Sequence, residues 1–368
     1  VENKFITKIN IKKVRHLREV NIPLSNTERK HLILTGKNGS GKTSILNAML
    51  HAISSMQTSF YGRMIQGYGV HLQFNQTIIH FPEVEFVYIK AKRADFNIPK
   101  SIEPAQKKGR LSIAQNINSE FLKYILALDY QLYGAITDGN KILEANTIKW
   151  FDNFLAALRN IYDCPDLKLE RDAKNLSFKI IMPGREPFTL NEMSDGYAAF
   201  IKIMMELLMR LESEDAVVDF DKPAIVLIDE LETHMHVELQ KRALPFLTKM
   251  FPNVQFIVAT HSPFVITSLE NAIVFDLEKR ERLENPSFYA YDTVVESFLD
   301  TSMYSDELQK YFKRYKALCL KERTPEENEE FRRAKVELEI RAIPSTELYI
   351  AFHELEAKRK VGKNGSLI

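Results

Sequence analysis

Short apolar runs, some alternating and some continuous, mark out the chain. Residues 5–11 (FITKINI) alternate apolar and polar positions and predict a half-buried strand. Residues 18–24 (REVNIPL) predict a second, reached through a tight basic turn holding Lys12, Lys13, Arg15 and His16. A third short strand at 32–34 leads into a glycine-rich turn and then a helix over 43–56. Residues 62–69 read as a loop on their glycines, and 84–90 (VEFVYIK) as a strand. Residues 97–110 carry two prolines and the basic cluster 107–110, and predict a mobile loop. Helical spacing returns over 119–133 and 146–162 and reads as a helical insertion. Strands follow at 167–171 and 176–182, with a turn at Pro183 and Gly184. A strongly apolar helix is expected over 197–211. The continuous runs 224–228 (AIVLI) and 254–259 (VQFIVA) predict buried strands on either side of a helix at 237–250. Residues 272–276 predict a further strand, and from 293 onward charged helical patterns dominate.

This order of strands and helices is that of an α/β fold. The division expected from it is a core lobe over 1–96, a loop and helical insertion over 97–165, a second core segment over 166–285, and a helical region over 286–368.

Composition narrows the class without naming it. Lys and Arg number 50 against 49 Asp and Glu, so bulk charge points to neither nucleic acid nor a membrane surface. The two cysteines, Cys164 and Cys319, stand in no metal-ligand spacing and fit a reducing cytoplasm. The opening residues hold no apolar signal core, and no run approaches the ~18 apolar residues of a membrane helix.

The chemistry begins at residues 32–49, LILTGKNGSGKTSILNAM. Gly36, Gly41, Lys42 and Thr43 fill the G-x-x-x-x-G-K-[ST] pattern of a phosphate-binding loop. Glycines let successive N–H groups turn toward phosphate oxygens, and the following helix adds its positive end. The expected binding set is Gly36, Lys37, Asn38, Gly39, Ser40, Gly41, Lys42, Thr43 and Ser44. Lys42 would reach the β- and γ-phosphates, and the Thr43 hydroxyl would ligate Mg²⁺.

Three further stretches follow in a matching order. Ile225–Glu230 is an apolar strand ending in two acids: Asp229 to hold Mg²⁺ and Glu230 to orient and deprotonate the attacking water. Ser194, Asp195 and Gly196 open a helix and offer a second phosphate-binding surface, which would serve a nucleotide held by another copy. His261 follows the 254–259 strand at its carboxyl end and is placed to contact a γ-phosphate. Each has a plainer reading: a solvated acidic turn, a helix cap and a structural histidine. Their order behind a phosphate-binding loop favours the functional one. His234 and His236 have no third ligand in sight and read as a loop lining a dimer interface rather than a metal site.

Taken together, GKNGSGKT, MSDGY, VLIDELETHMH and VATHSP resemble the Walker A, signature, Walker B with D-loop, and switch-histidine motifs of ABC-type ATPases. The flavour is that of the SMC/RecF/OLD branch, and the opening INIKKVRHLREVNIPL is similar to that branch's first hairpin, where a basic residue such as Arg15 lies near the nucleotide. FVYIKAKR, ETHMH and the charged tail resemble the ATPases of bacterial antiphage systems, Septu PtuA and retron ATPases among them. The resemblance implies a P-loop ATPase head with a mixed sheet, ATP and Mg²⁺ as cofactors, and Glu230, His261 and Lys42 as catalytic residues. It also implies a head-to-tail dimer, a separate nuclease or toxin as effector, and nucleic acid as a further partner, with no membrane. A RecF-like DNA-clamping ATPase is the alternative. Two departures stand out: Lys92 and Arg93 occupy the place of the usual Q-loop glutamine, and Asp195 and Tyr197 alter the signature.

Overall fold

The computed structural model describes residues 4–55, 62–78, 84–93, 120–172, 174–211, 220–297, 305–319, 323–341 and 347–364. The expected loop over 97–110, with its basic cluster, lies outside them. Two compact units are present, Val1–Leu299 and Asp300–Ile368.

The first unit opens on the hairpin β1 (Ile6–Val14) and β2 (Leu17–Pro23), followed by β3 (His31–Thr35) and α1 (Lys42–Ser54). Next come β4 (Gly62–Gly67), β5 (Val70–Ile78) and β6 (Glu85–Ile89). The helices α2 (Phe121–Thr137) and α3 (Lys141–Tyr162) precede a small antiparallel sheet of β7 (Lys168–Asp172), β8 (Ser177–Ile181) and β9 (Phe188–Thr189). Then follow α4 (Asp195–Arg210), β10 (Ala224–Asp229), α5 (Val237–Met250), β11 (Val254–Ala259), α6 (Pro263–Ile266), β12 (Ala272–Asp276), β13 (Arg282–Glu284) and α7 (Tyr291–Ser297).

Six strands form the central sheet in the order β13-β12-β3-β11-β10-β6, parallel except for the β12–β13 pair. Its inner strands read as continuous apolar runs because both faces are covered. On one face Ile225 and Leu227 join α1 and the antiparallel sheet β2-β1-β5-β4 in one core. On the other, Val226 and Ile228 join the apolar sides of α2, α3, α4 and α5. The α2–α3 pair thus shares one core with the sheet; its aromatic centre is Phe121, Trp150 and Phe154.

One expectation is overturned. Residues 62–69 are not a loop: Gly62–Gly67 is strand β4, paired antiparallel with β5. The turn lies at Tyr68 and Gly69, both at positive φ (50° and 79°), as a two-residue hairpin needs. A Cβ on Gly69 would stand 1.9 Å from the Lys13 carbonyl oxygen, so this glycine makes room for β1. Gly67 is not a turn residue either; its bare Cα lets the strand approach Ala52 of α1.

The second unit contains α8 (Asp306–Cys319), α9 (Pro325–Arg341) and α10 (Glu347–Asn364) around Tyr315, Leu318, Phe331, Leu338 and Phe352. Among the described residues no helix is long and apolar enough to cross a membrane.

Candidate nucleotide site

The carboxyl ends of the parallel strands converge on one edge of the sheet, where ligands of open α/β folds bind. β3 ends at Thr35 and runs into the loop Gly36–Gly41, which caps α1. Gly36, Gly39 and Gly41 all have positive φ (130°, 86° and 104°), a path that side chains would oppose. At Gly41 a Cβ would also strike Leu17, 2.8 Å away, and approach His16. The β1–β2 turn that carries Arg15 therefore lies against the loop, with Arg15 itself exposed.

Lys42 is buried, and its Nζ donates to the carbonyls of Gly36 (2.7 Å) and Lys37 (3.1 Å). Burial lowers its pKa, while Glu232, Asp229 and Glu230 pull the other way. Lys37, Asn38 and Gly39 are exposed at the tip; Ser40 is buried, and Ser44 half-buried in the first turn of α1. Lys37 faces Glu278.

Thr43 Oγ1 donates to Asp229 Oδ1 over 3.0 Å. This bond joins α1 to the end of β10, although β11 separates β3 from β10 in the sheet. Burial raises the pKa of Asp229, and the Thr43 bond opposes the rise. A hydroxyl beside a lone buried carboxylate suits Mg²⁺, which keeps waters and phosphate oxygens for its remaining positions. Among the described residues no cluster of three His, Cys, Asp or Glu could form a metal cage, His234 and His236 included.

Glu230 follows immediately, in the left-handed conformation with φ 48°. Its carbonyl accepts from the Thr233 N–H (3.2 Å) and from Arg93 Nη2 (3.2 Å), and its carboxylate from Thr233 Oγ1 (3.3 Å). Glu232 Oε1 accepts the His261 N–H over 2.6 Å, so the acidic turn is tied to the end of β11. Burial and the Lys42 ammonium lower the pKa of His261, and Glu232 and Glu230 oppose the shift. Ser262 caps α6 and donates to Gln240, which in turn holds the Met235 carbonyl.

Ser194 is exposed at the N-terminus of α4, and its hydroxyl makes no capping bond. Gly196 is buried against the loop between His234 and His236. The structure thus gathers Lys42, Thr43, Asp229, Glu230 and His261 on one edge of the sheet, while Ser194 and Gly196 adjoin the turn after Glu230. Arg93 and Glu232 enter this network without a motif to announce them. Arg93 was visible only as a misfit at the end of β6, and nothing in ELET singles out its second acid.

Residues 77–267 match the family model described as "AAA domain, putative AbiEii toxin, Type IV TA system". The chain is 26% identical over 208 residues to "Retron Ec83 probable ATPase" of Escherichia coli, a match covering 54% of this chain and 35% of that protein. It is 23% identical over 314 residues to "Septu protein PtuA" of Bacillus mycoides (strain KBAB4), covering 76% of this chain and 42% of that one. It spans well under half the length of either relative. Among solved structures, an Smc head bound to the C-terminal winged-helix domain of ScpA is similar with a TM-score of 0.40 at 14% identity, covering 74% of this chain and 93% of that one. With the match extending over just over half of its length and through the Asp229–Glu230 and His261 segments, the chain belongs to this AAA-domain family.

Proposed function

We propose that the chain is the ATP-binding and ATP-hydrolysing head of an antiphage defence ATPase, acting in the cytoplasm. Two copies would close head to tail around two nucleotides, each held between Gly36–Thr43 of one copy and Ser194–Gly196 of the other. Closure would gate a separate nuclease or toxin, with nucleic acid as a further partner. The observation that carries this reading is the Thr43–Asp229 hydrogen bond, which joins the phosphate-binding loop to the acidic strand end across one intervening strand. The relatives named as retron and Septu proteins favour a defence role over a DNA-repair clamp.

The residues fit ATP and Mg²⁺. Positive-φ glycines leave the loop N–H groups free of Cβ obstruction, and Lys42 is held inside the loop by carbonyls that anionic phosphates can replace. Thr43 and Asp229 would hold Mg²⁺, which when bound neutralises charge on the phosphate oxygens. Glu230 would orient the attacking water and take its proton. His261 would present an N–H to the γ-phosphate. Ser194 and the α4 N-terminus would complete the opposite copy's site.

Glu230→Gln tests the reading. The variant should bind ATP as wild type does, hydrolyse it at least about 10²-fold more slowly, and accumulate as a dimer in size-exclusion chromatography with ATP. A variant that stays monomeric with ATP sinks the sandwich. A wild type that turns over no ATP sinks the enzyme.

A further inference from the structure

Glu230 does not continue the extended backbone of β10. Its φ of 48° lies in a region that non-glycine residues populate sparsely, and such a residue persists only where its surroundings hold it. Glu230 follows Asp229, the last residue of β10. Its carbonyl accepts Arg93 Nη2 at 3.2 Å and the Thr233 N–H at 3.2 Å. The second bond is local to the turn; the first crosses 137 residues of chain.

Arg93 stands four residues past the end of β6, and β6 is the parallel neighbour of β10. Burial lowers the pKa of Arg93 to about 10, and the charges of Glu206, Glu232, Asp229 and Glu230 offset only part of that cost. Its Nε is buried without a hydrogen-bond partner among the described residues, as is Glu232 Oε2. Glu206 belongs to α4, the helix that begins beside Ser194, and is itself buried and paired with Arg210. Glu232 in turn holds the His261 N–H. One side chain from just past the end of β6 thus holds the backbone of the acidic turn.

We propose that Arg93 is the positioning residue for Glu230: its guanidinium grips the Glu230 carbonyl and keeps the turn left-handed. This deepens the ATPase reading and rests on it. Arg93 touches neither the reacting atoms nor the phosphate-binding loop; it acts through the backbone of the residue that handles water. Arginine suits the task because its planar fork can bond the carbonyl while other N–H groups face carboxylates, which a lysine cannot do together.

The test uses the full chain with Arg93→Met and Arg93→Lys, alone and combined with Glu230→Gln. Three quantities are measured: ATP affinity, single-turnover hydrolysis, and hydrogen exchange of the amides at 229–236. Arg93→Met should leave affinity within about 3-fold and lower the hydrolysis rate by about 10²-fold, the cost of a small misplacement of a catalytic group. Arg93→Lys should recover part of the rate. In the Glu230→Gln background Arg93→Met should lower the rate no further, since the two act as one unit. Exchange at 229–236 should quicken in Arg93→Met. Wild-type turnover and exchange in Arg93→Met would overturn the proposal, as would a loss confined to ATP affinity or a full additional loss on top of Glu230→Gln. If wild type itself turns over no ATP, the ATPase reading fails, and unchanged exchange in either variant would still overturn the latch by itself. Should Arg93→Met not fold, Arg93→Lys decides by the same rate and exchange readings.

Discussion

A Cβ on Gly196 would stand 2.9 Å from the carbonyl oxygen of His234. The first turn of α4 and the loop after Glu230 are therefore in backbone contact, and that contact depends on a missing side chain. Gly196→Ala should be net destabilising, although alanine is the better helix former by about 1 kcal/mol. The obstacle is backbone rather than a side-chain tip, and His236 closes the other side at 3.4 Å. A loss of about 1–3 kcal/mol is expected, read by urea unfolding; an unchanged or raised midpoint would mean that the loop yields freely.

Lys42 and Thr43 are adjacent yet should fail differently. Lys42→Ala removes the ammonium from the loop and should weaken ATP binding by ~10–100-fold with or without Mg²⁺. Thr43→Val keeps the shape but removes the donor to Asp229 Oδ1. It should leave Mg²⁺-free binding near wild type and abolish the gain that Mg²⁺ confers. Calorimetric titration of ATP in magnesium and in chelator separates the two; equal losses in both buffers for Thr43→Val would remove Thr43 from the metal.

His31 makes acid stability a local question. It is buried at the start of β3, its Nδ1 accepts the Phe256 N–H over 3.1 Å, and its ring lies against Phe256. Burial first, then Arg29 and Lys30, push its pKa down to about 3. Above pH 6.5 both folded and unfolded chains hold it neutral, so its contribution to stability is fully present. As pH falls from 6.5 toward 3, only the unfolded chain takes up the proton, and stability drops by up to about 1.4 kcal/mol per pH unit. Unfolding free energies from denaturant titrations should fall through this group by about 0.7 kcal/mol from pH 7 to 6 and about 1.2 kcal/mol from pH 6 to 5 in wild type, with correspondingly less in His31→Gln.

The helical unit holds its own buried polar group. Tyr315 donates its hydroxyl to Glu356, which also pairs with Lys335 at 2.9 Å, while the Tyr315 ring stacks on Phe331. Tyr315→Phe keeps the ring and removes the donor. Amides of α8 and α10 should lose about 1–3 kcal/mol of protection against hydrogen exchange, and unchanged protection would mean that Lys335 alone satisfies Glu356.

The strands that flank the site were legible because burial on both faces leaves a simple trace. β10, β11 and β12 appear in the sequence as short unbroken apolar runs, and α5 as an amphipathic run between two of them. The β4–β5 hairpin was obscured for a different reason. Its strand β5, VHLQFNQTI, alternates apolar and polar positions over 70–74 much as β1 does, but the glycines of β4 looked like punctuation and drew 62–69 into a loop. Gly67 is demanded by Ala52, distant in sequence, so no local pattern could explain it, whereas Gly69 answers both to the turn and to the distant Lys13. Within the site, the loop, Asp229, Glu230 and His261 stood out because a motif fixes their spacing. Arg93 and Glu232 act through tertiary contacts with Glu230 and His261, and such contacts have no period along the chain.

One strand contributes no acidic group to the catalytic edge and still sets its size. β11 lies between β3 and β10, hydrogen-bonded to both. Neighbouring strands stand about 4.8 Å apart, so a strand with one interposed lies roughly twice that away. The span from the phosphate-binding loop to the acidic strand end is thus a gauge machined in peptide groups, and its steps are whole strands. Side chains in the core can drift without resizing it; widening or narrowing it requires adding or losing a strand.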